Sequence, residues 1–259
     1  PALPTELTTR SIQAPETLEC RGKPIRKIRL VAHLQHPHTV RVSHIEIRIA
    51  LVLSLLVAGI TPAKAESIAS GLSIIQEQIT KGRAAKTGYT RAQFGPAWAD
   101  VDRNGCDTRN DILNRDLTNQ VYKEKTKQCV VLSGTLVDPF SGESINFVQG
   151  AKTSSEVQID HTVALSNAWQ TGAFKLTSDQ RKALANDPLN LLAVKGRLNS
   201  QKGDGDAATW LPPLKSYRCD YVSRQIAVKI KYKLWFTAPE KEAMIRILKT
   251  CPEKALPTS

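Results

Sequence analysis

Ser67 to Thr80 sets Ile68, Leu72, Ile75 and Ile79 at helical intervals, and this spacing predicts a first amphipathic helix. Lys81 to Phe94 breaks that rhythm. It contains Gly82 and Gly88 with few apolar residues, and reads as a polar connection. Asp107 to Leu117 is again helical, with Ile112 and Leu113 on its apolar side. The period then shortens. Cys129 to Val137 is rich in β-branched residues and runs into the turn Asp138-Pro139-Phe140-Ser141-Gly142, and Ser144 to Val148 is the returning strand. Val157 to Ile159 forms a short strand leading into Asp160-His161, and Ala164 to Gln170 a helix. Thr177-Ser178-Asp179-Gln180 is a capping box that opens a helix through Ala185. Pro188 to Val194 is a second apolar strand with Asn190 at its centre, and Arg197 to Lys202 follows it. After Pro212-Pro213 a long helix places Val222, Ile226, Ile230 and Leu234 every four residues. Thr237-Ala238-Pro239-Glu240 caps a last helix that ends near Cys251. The sum is one α+β domain, a small strand pair surrounded by helices.

One apolar run stands outside this domain. Ile49 to Ile60 is short, is preceded by Arg41 and Arg48, and is followed by Ala63-Lys64-Ala65. Such a run with basic flanks and an A-x-A ending is a signal peptide cleaved after Ala65; a membrane span would need a longer one. The expected organisation is therefore an extension over residues 1–47 that is non-native or disordered, a signal peptide over 48–65, and the working domain over 66–259. Residues 66–259 hold 27 Lys or Arg against 20 Asp or Glu, a net charge of +7. That excess suits a polyanionic partner, since phosphate contacts supply most sequence-independent nucleic-acid affinity. Cys106, Cys129, Cys219 and Cys251 fall in the exported part, an even number that implies two disulfides. The pairing Cys106–Cys129 and Cys219–Cys251 is favoured because each closes a loop within one region. No two of them have the C-x₂₋₄-C spacing of a zinc knuckle.

Four of the five histidines, His33, His36, His38 and His44, precede the signal peptide, which leaves His161 alone in the mature chain. It follows Asp160 and precedes Asn190 and Asn199-Ser200-Gln201-Lys202. An acid, an imidazole and two carboxamides are what metal-assisted phosphodiester hydrolysis requires. Neutral imidazole takes a proton from water, and a divalent cation neutralises charge at phosphorus and the leaving oxygen. Mg²⁺ prefers oxygen donors and keeps several waters, so Asp160 and Asn199 can suffice as its protein ligands, with Mn²⁺ as the alternative metal. Neighbouring strand residues point to opposite faces, so Asp160 and His161 can address metal and water from different sides. Asn190 is placed to hold the loop bearing His161.

The stretches VQIDHTVALS, NDPLNLLAV and LNSQKGD resemble the HNH, or ββα-metal, nuclease superfamily. DRNGCDTRNDIL, DPFSG and QKGDGDAATWLPP extend the likeness to an exported HNH family related to the C-terminal nuclease domain of GmrSD-type restriction enzymes. The resemblance covers roughly residues 95 to 251. It implies Asp160 and Asn199 as metal ligands, His161 as general base, Asn190 as the central structural Asn and Lys202 beside the substrate phosphate. Asn199 stands where many relatives place His, which favours Mg²⁺ or Mn²⁺ over softer metals.

The expected activity is an exported, metal-dependent endonuclease cutting DNA, with RNA on the same scaffold as the alternative substrate, without lasting membrane attachment. A non-catalytic domain that holds an anionic polymer is the rival. Arg109, in Cys106-Asp107-Thr108-Arg109-Asn110-Asp111, is either a phosphate-gripping fork or half of a helix-surface ion pair with Asp111. Trp98, Trp169, Trp210 and Trp235 are expected to pack in the core rather than stack on bases.

Overall fold

The computed structural model describes residues 69–258 except 152, so the extension, the signal peptide and Ile68 lie outside the described residues. The first helix, α1 (Gly71–Glu77), is shorter than its apolar spacing suggests. Ser70 caps it, Gln78 turns extended, and Ile79 ends up 80% exposed rather than on the buried stripe. Thr80 instead bridges to Phe236. The connection that follows contains only one helical turn, Arg91–Phe94. Helix α2 (Thr108–Asp116) starts on the Asp107 side chain, which accepts from Asn110 N, and buries Ile112 and Leu113.

Strands β1 (Leu117–Tyr122), β2 (Val131–Val137) and β3 (Ser144–Val148) form an antiparallel sheet in the order β1-β2-β3. The β2–β3 turn is tied by Asp138 Oδ2, which accepts from the backbone and hydroxyl of Ser141. β1 has no counterpart among the expected elements. Only Leu117 of its six residues is buried, and its register against β2 slips, so its existence rests on the pairing rather than on its own residues.

The second sheet is the ribbon of β4 (Val157–His161) and β5 (Leu191–Lys195), antiparallel, with Asp160 opposite Leu192 and His161 opposite Leu191. Between these strands lie α3 (Leu165–Gln170) and α4 (Ser178–Ala185), the latter opened by the expected capping box on Thr177. The ribbon is buried on both faces, hence the unbroken apolar run LLAV from Leu191 to Val194. Val157, Ile159, Leu191 and Ala193 share one core with Leu113, Leu117 and Phe147. Leu192 and Val194 face another core, with Tyr221, Val222, Ile226 and Met244. The outer edge of β5 is closed by side chains: Ala193 N donates to Asp116 Oδ2 and Lys195 N to Asp138 Oδ1.

β5 runs directly into α5 (Gly196–Lys202), completing a strand–strand–helix unit. Ser155 O passes so close to Gly196 that a Cβ there would sit 1.9 Å from it, so only glycine permits the approach. Helices α6 (Arg218–Lys231) and α7 (Ala238–Leu248) complete the domain, α7 with the expected capping box on Thr237. Val222 and Ile226 are buried, but Ile230 is 39% exposed and Leu234 lies beyond the helix end. A four-residue repeat overshoots the 3.6-residue turn, so the stripe drifts off the buried face. Cys106–Cys129 ties α2 to the strand region and Cys219–Cys251 ties α6 to the segment after α7. The architecture is α+β: the expected hairpin gains β1 as a third strand, and the strand pair that carries the polar cluster forms the second sheet.

Candidate active site

Helix α5 lies along one face of β4. Asn199 Nδ2 donates to Gln158 Oε1 at 2.9 Å, and one turn later Lys202 Nζ donates to Asp160 Oδ1 at 2.8 Å and to the His161 carbonyl at 2.7 Å. Gln158 and Asp160 share a strand face because they are two apart, and Asn199 and Lys202 share a helix face because they are three apart. The two periods match over one turn, and this match brings Asn199 and Lys202 onto the strand that carries the acid. Lys202 is 3% exposed. Expected beside a substrate phosphate, its ammonium is instead committed to Asp160, under the floor of a groove of about 820 Å³ that Lys81, Arg83 and Trp210 also line.

Asp160 is buried, and burial raises its carboxyl pKa while the Lys202 ammonium pulls it back down. Its second oxygen, Oδ2, is buried with no hydrogen-bond partner among the described residues. Asn199 spends its amide nitrogen on Gln158, and its oxygen, with no hydrogen bond among the described residues, remains available as a ligand atom. These two oxygens suit a hard divalent cation that keeps most of its shell as water. Among the described residues no cluster of three or more His, Cys, Asp or Glu forms a richer ligand set.

His161 points to the opposite face of β4. Its Nε2 donates to the Ala185 carbonyl at 2.9 Å, at the end of α4. A carbonyl only accepts, so the ring proton resides on Nε2 and Nδ1 keeps its lone pair. Trp98 stacks on the imidazole, ring centroids 6.1 Å apart and planes within 16°. To do so Trp98 takes a left-handed backbone, φ 57°, where a bulky residue is an outlier. A cavity of about 190 Å³ beside the ring is lined by Arg91, Phe94, Trp98, Leu165 and Asn186. Neither Asp160 nor Asn199 lines it. Acid and imidazole thus meet at the strand end from two sides, not in one shared cavity.

Burial pushes the His161 pKa down to about 4; the bond to Ala185 opposes this, and the positive charges of Arg91 and Lys202 add to it. The base form therefore persists in acid. An NMR titration of the ring is expected to show protonation near pH 4 rather than near the ordinary 6.5, and any activity that uses the ring as a base is expected to persist down to that pH. The same shift stabilises the fold above pH 6.5, and that contribution is lost as the pH falls through about 4. An acid limb centred at pH 6.5 would contradict this environment.

Asn190 sits just before β5 rather than within it, because the Pro188–Asn190 turn delays the strand. Fully buried, it grips the chain after His161. Its Oδ1 accepts from Val163 N at 2.8 Å, its Nδ2 donates to the carbonyls of Val163 and Leu184, and its own carbonyl accepts from Thr162 N. These bonds make it a clamp on the loop that follows His161. Arg109 lines a separate cavity of about 350 Å³ with Trp98 and Phe147, and donates to the Val157 carbonyl. It makes no ion pair with Asp111, which accepts from Asn104 instead. Burial lowers the Arg109 pKa.

Several residues at the site carry no signal in the sequence. Trp98, expected in the core, is a half-buried cover over His161. Ala185 contributes only its carbonyl, and Gln158 alternates in an unremarkable strand. The turn Gly95-Pro96 just before Trp98 is the one local hint that this segment bends.

The family described as GmrSD restriction endonucleases, C-terminal domain, matches residues 107–247. An uncharacterized secreted protein from Arthroderma benhamiae is 36% identical over 193 residues, covering 74% of this chain and 89% of that protein. No solved structure matches the chain significantly.

Proposed function

Because the chain belongs to the family of GmrSD restriction endonuclease C-terminal domains, we propose that it is an exported, Mg²⁺-dependent HNH endonuclease that hydrolyses DNA with little sequence preference. The observation that carries this reading is the His161 ring, fixed through Nε2 on the Ala185 carbonyl with Nδ1 left as the proton acceptor. Nδ1 takes a proton from water, and the oxygen attacks phosphorus in line with the departing 3′ oxygen, leaving a 5′-phosphate. Lys202 holds Asp160 in place, and Asn190 holds the loop from which the imidazole projects. Asp160 and Asn199 are the residues that would hold the cation, whose chemistry is to neutralise charge on the phosphate and the leaving oxygen. Export is supported by the two disulfides and by the secreted relative.

Plasmid nicking by the purified chain tests this directly. Cutting is expected with Mg²⁺ or Mn²⁺, loss of cutting with a chelator, and recovery when metal is restored; undiminished cutting in chelator would remove the metal from the reaction. A parallel assay on RNA decides between the two polymers. The burial of both Asp160 and His161 also favours a second reading, a basic domain that holds DNA without cutting it. That reading expects retention on DNA and no turnover with any divalent metal.

A further inference from the structure

We propose that Asn186 is a second acceptor for the attacking water, which it shares with His161; the inference rests on the reading of His161 as general base. Asn186 follows Ala185 at the end of α4, so the residue whose carbonyl fixes the imidazole is its chain neighbour. Its Nδ2 donates to the Lys182 carbonyl at 2.9 Å, which settles the orientation of the amide and leaves Oδ1 as the other end. Asn186 is 1% exposed, and Oδ1 has no hydrogen-bond partner among the described residues. Asn186 and His161 line the same cavity of about 190 Å³.

The chemistry of the cavity wall selects its occupant. Asn186 Oδ1 and the Nδ1 lone pair of His161 are both acceptors, so neither welcomes a phosphate oxygen, which is an acceptor too. A water has two protons to give. One goes to His161 Nδ1, the other to Asn186 Oδ1, and a lone pair on the oxygen remains for phosphorus. The cation on this wall, Arg91, is exposed, so the positive charge lies toward solvent, where an anionic strand arrives. The space is large enough for water and is closed on one side by Trp98 and Phe94. In the step itself the O–P bond forms and the bond from phosphorus to the 3′ oxygen breaks. One water proton passes to Nδ1, the other stays on the new 5′-phosphate side, and the 3′ oxygen takes its proton from solvent.

The test compares Asn186→Leu and Asn186→Asp with wild type in single-turnover cleavage of DNA under Mg²⁺. Leu removes the acceptor at similar length; Asp restores it. The expected result for Leu is a rate lower by about tenfold to a hundredfold with the Kd for DNA unchanged, the size of one lost hydrogen bond in the transition state. Asp is expected to recover part of that loss, which a purely structural role for Asn186 would not produce. A crystal structure of wild type is expected to show a water within hydrogen-bonding distance of both Oδ1 and the His161 ring. Wild-type rate in Asn186→Leu, or a crystal structure in which Oδ1 is bonded to protein and no such water exists, overturns the proposal. If Asn186→Leu does not fold, the Asp variant and the wild-type crystal structure decide. Full activity in His161→Ala would instead overturn the base reading on which it rests.

Discussion

His161→Ala is expected to lower single-turnover cleavage by about 10²- to 10⁴-fold, the usual contribution of a positioned general base. His161 is the only histidine among the described residues, so no second imidazole stands in for it. Its neighbours supply no substitute either. Asp160 faces the other side of β4 and is bound to Lys202, and the groups lining the cavity beside the ring include a cation, Arg91, and an amide, Asn186. The substitution also frees the Ala185 carbonyl and leaves Trp98 without its stacking partner, so the melting temperature has to be measured alongside the rate. Added imidazole is expected to restore part of the activity, because the alanine leaves room where the ring stood. Cutting at the wild-type rate by a folded His161→Ala would end the role given to this residue.

Lys202→Met is expected to have the largest effect on stability. It removes the ammonium from a fully buried pair and leaves Asp160 with neither oxygen bonded. Breaking one side of such a pair costs about 3–5 kcal/mol, since the remaining charge keeps its desolvation penalty. The effect depends on pH in a definite direction. Burial raises the Asp160 pKa and Lys202 restrains it, so without Lys202 it rises further. A raised folded-state pKa gives stability that is present below the unfolded value of 3.8 and is lost as the pH rises through the folded one. The deficit measured by urea unfolding should therefore be full at neutral pH and shrink on acidification. A variant as stable as wild type at pH 7 would show that Lys202 is not the counter-charge of Asp160.

The parts of the fold that could be read in advance are those whose cause is local. Thr177 and Thr237 each announce a helix because the reciprocal bonds of a capping box lie within four residues. The Asp138–Gly142 turn is equally self-contained. The opposite holds for Leu117–Tyr122, whose mostly polar residues become a strand only because β2 offers them partners. Ile79 and Ile230 show the same limit from the other side. Their spacing marks them as buried, and the end of α1 and the twist of α6 leave them in solvent.

At the site, the order Asp160, His161, Asn190, Asn199, Lys202 was visible in the chain because it is a matter of residue type and spacing. So was the alternation that sends acid and imidazole to opposite faces, since that follows from strand geometry alone. What each group does in those places was settled by segments far away in sequence. The imidazole is neutral because the segments packed around it, Trp98 after the bend at Gly95 among them, take it out of water, and its tautomer is defined because α4 brings the Ala185 carbonyl to Nε2. Lys202 becomes a buried counter-charge because α5 docks on β4, a docking that depends on Gly196 meeting Ser155 without a side chain. Spacing along the chain determines which groups share a face; desolvation and hydrogen-bond partners depend on what packs against that face, and only the folded chain decides this.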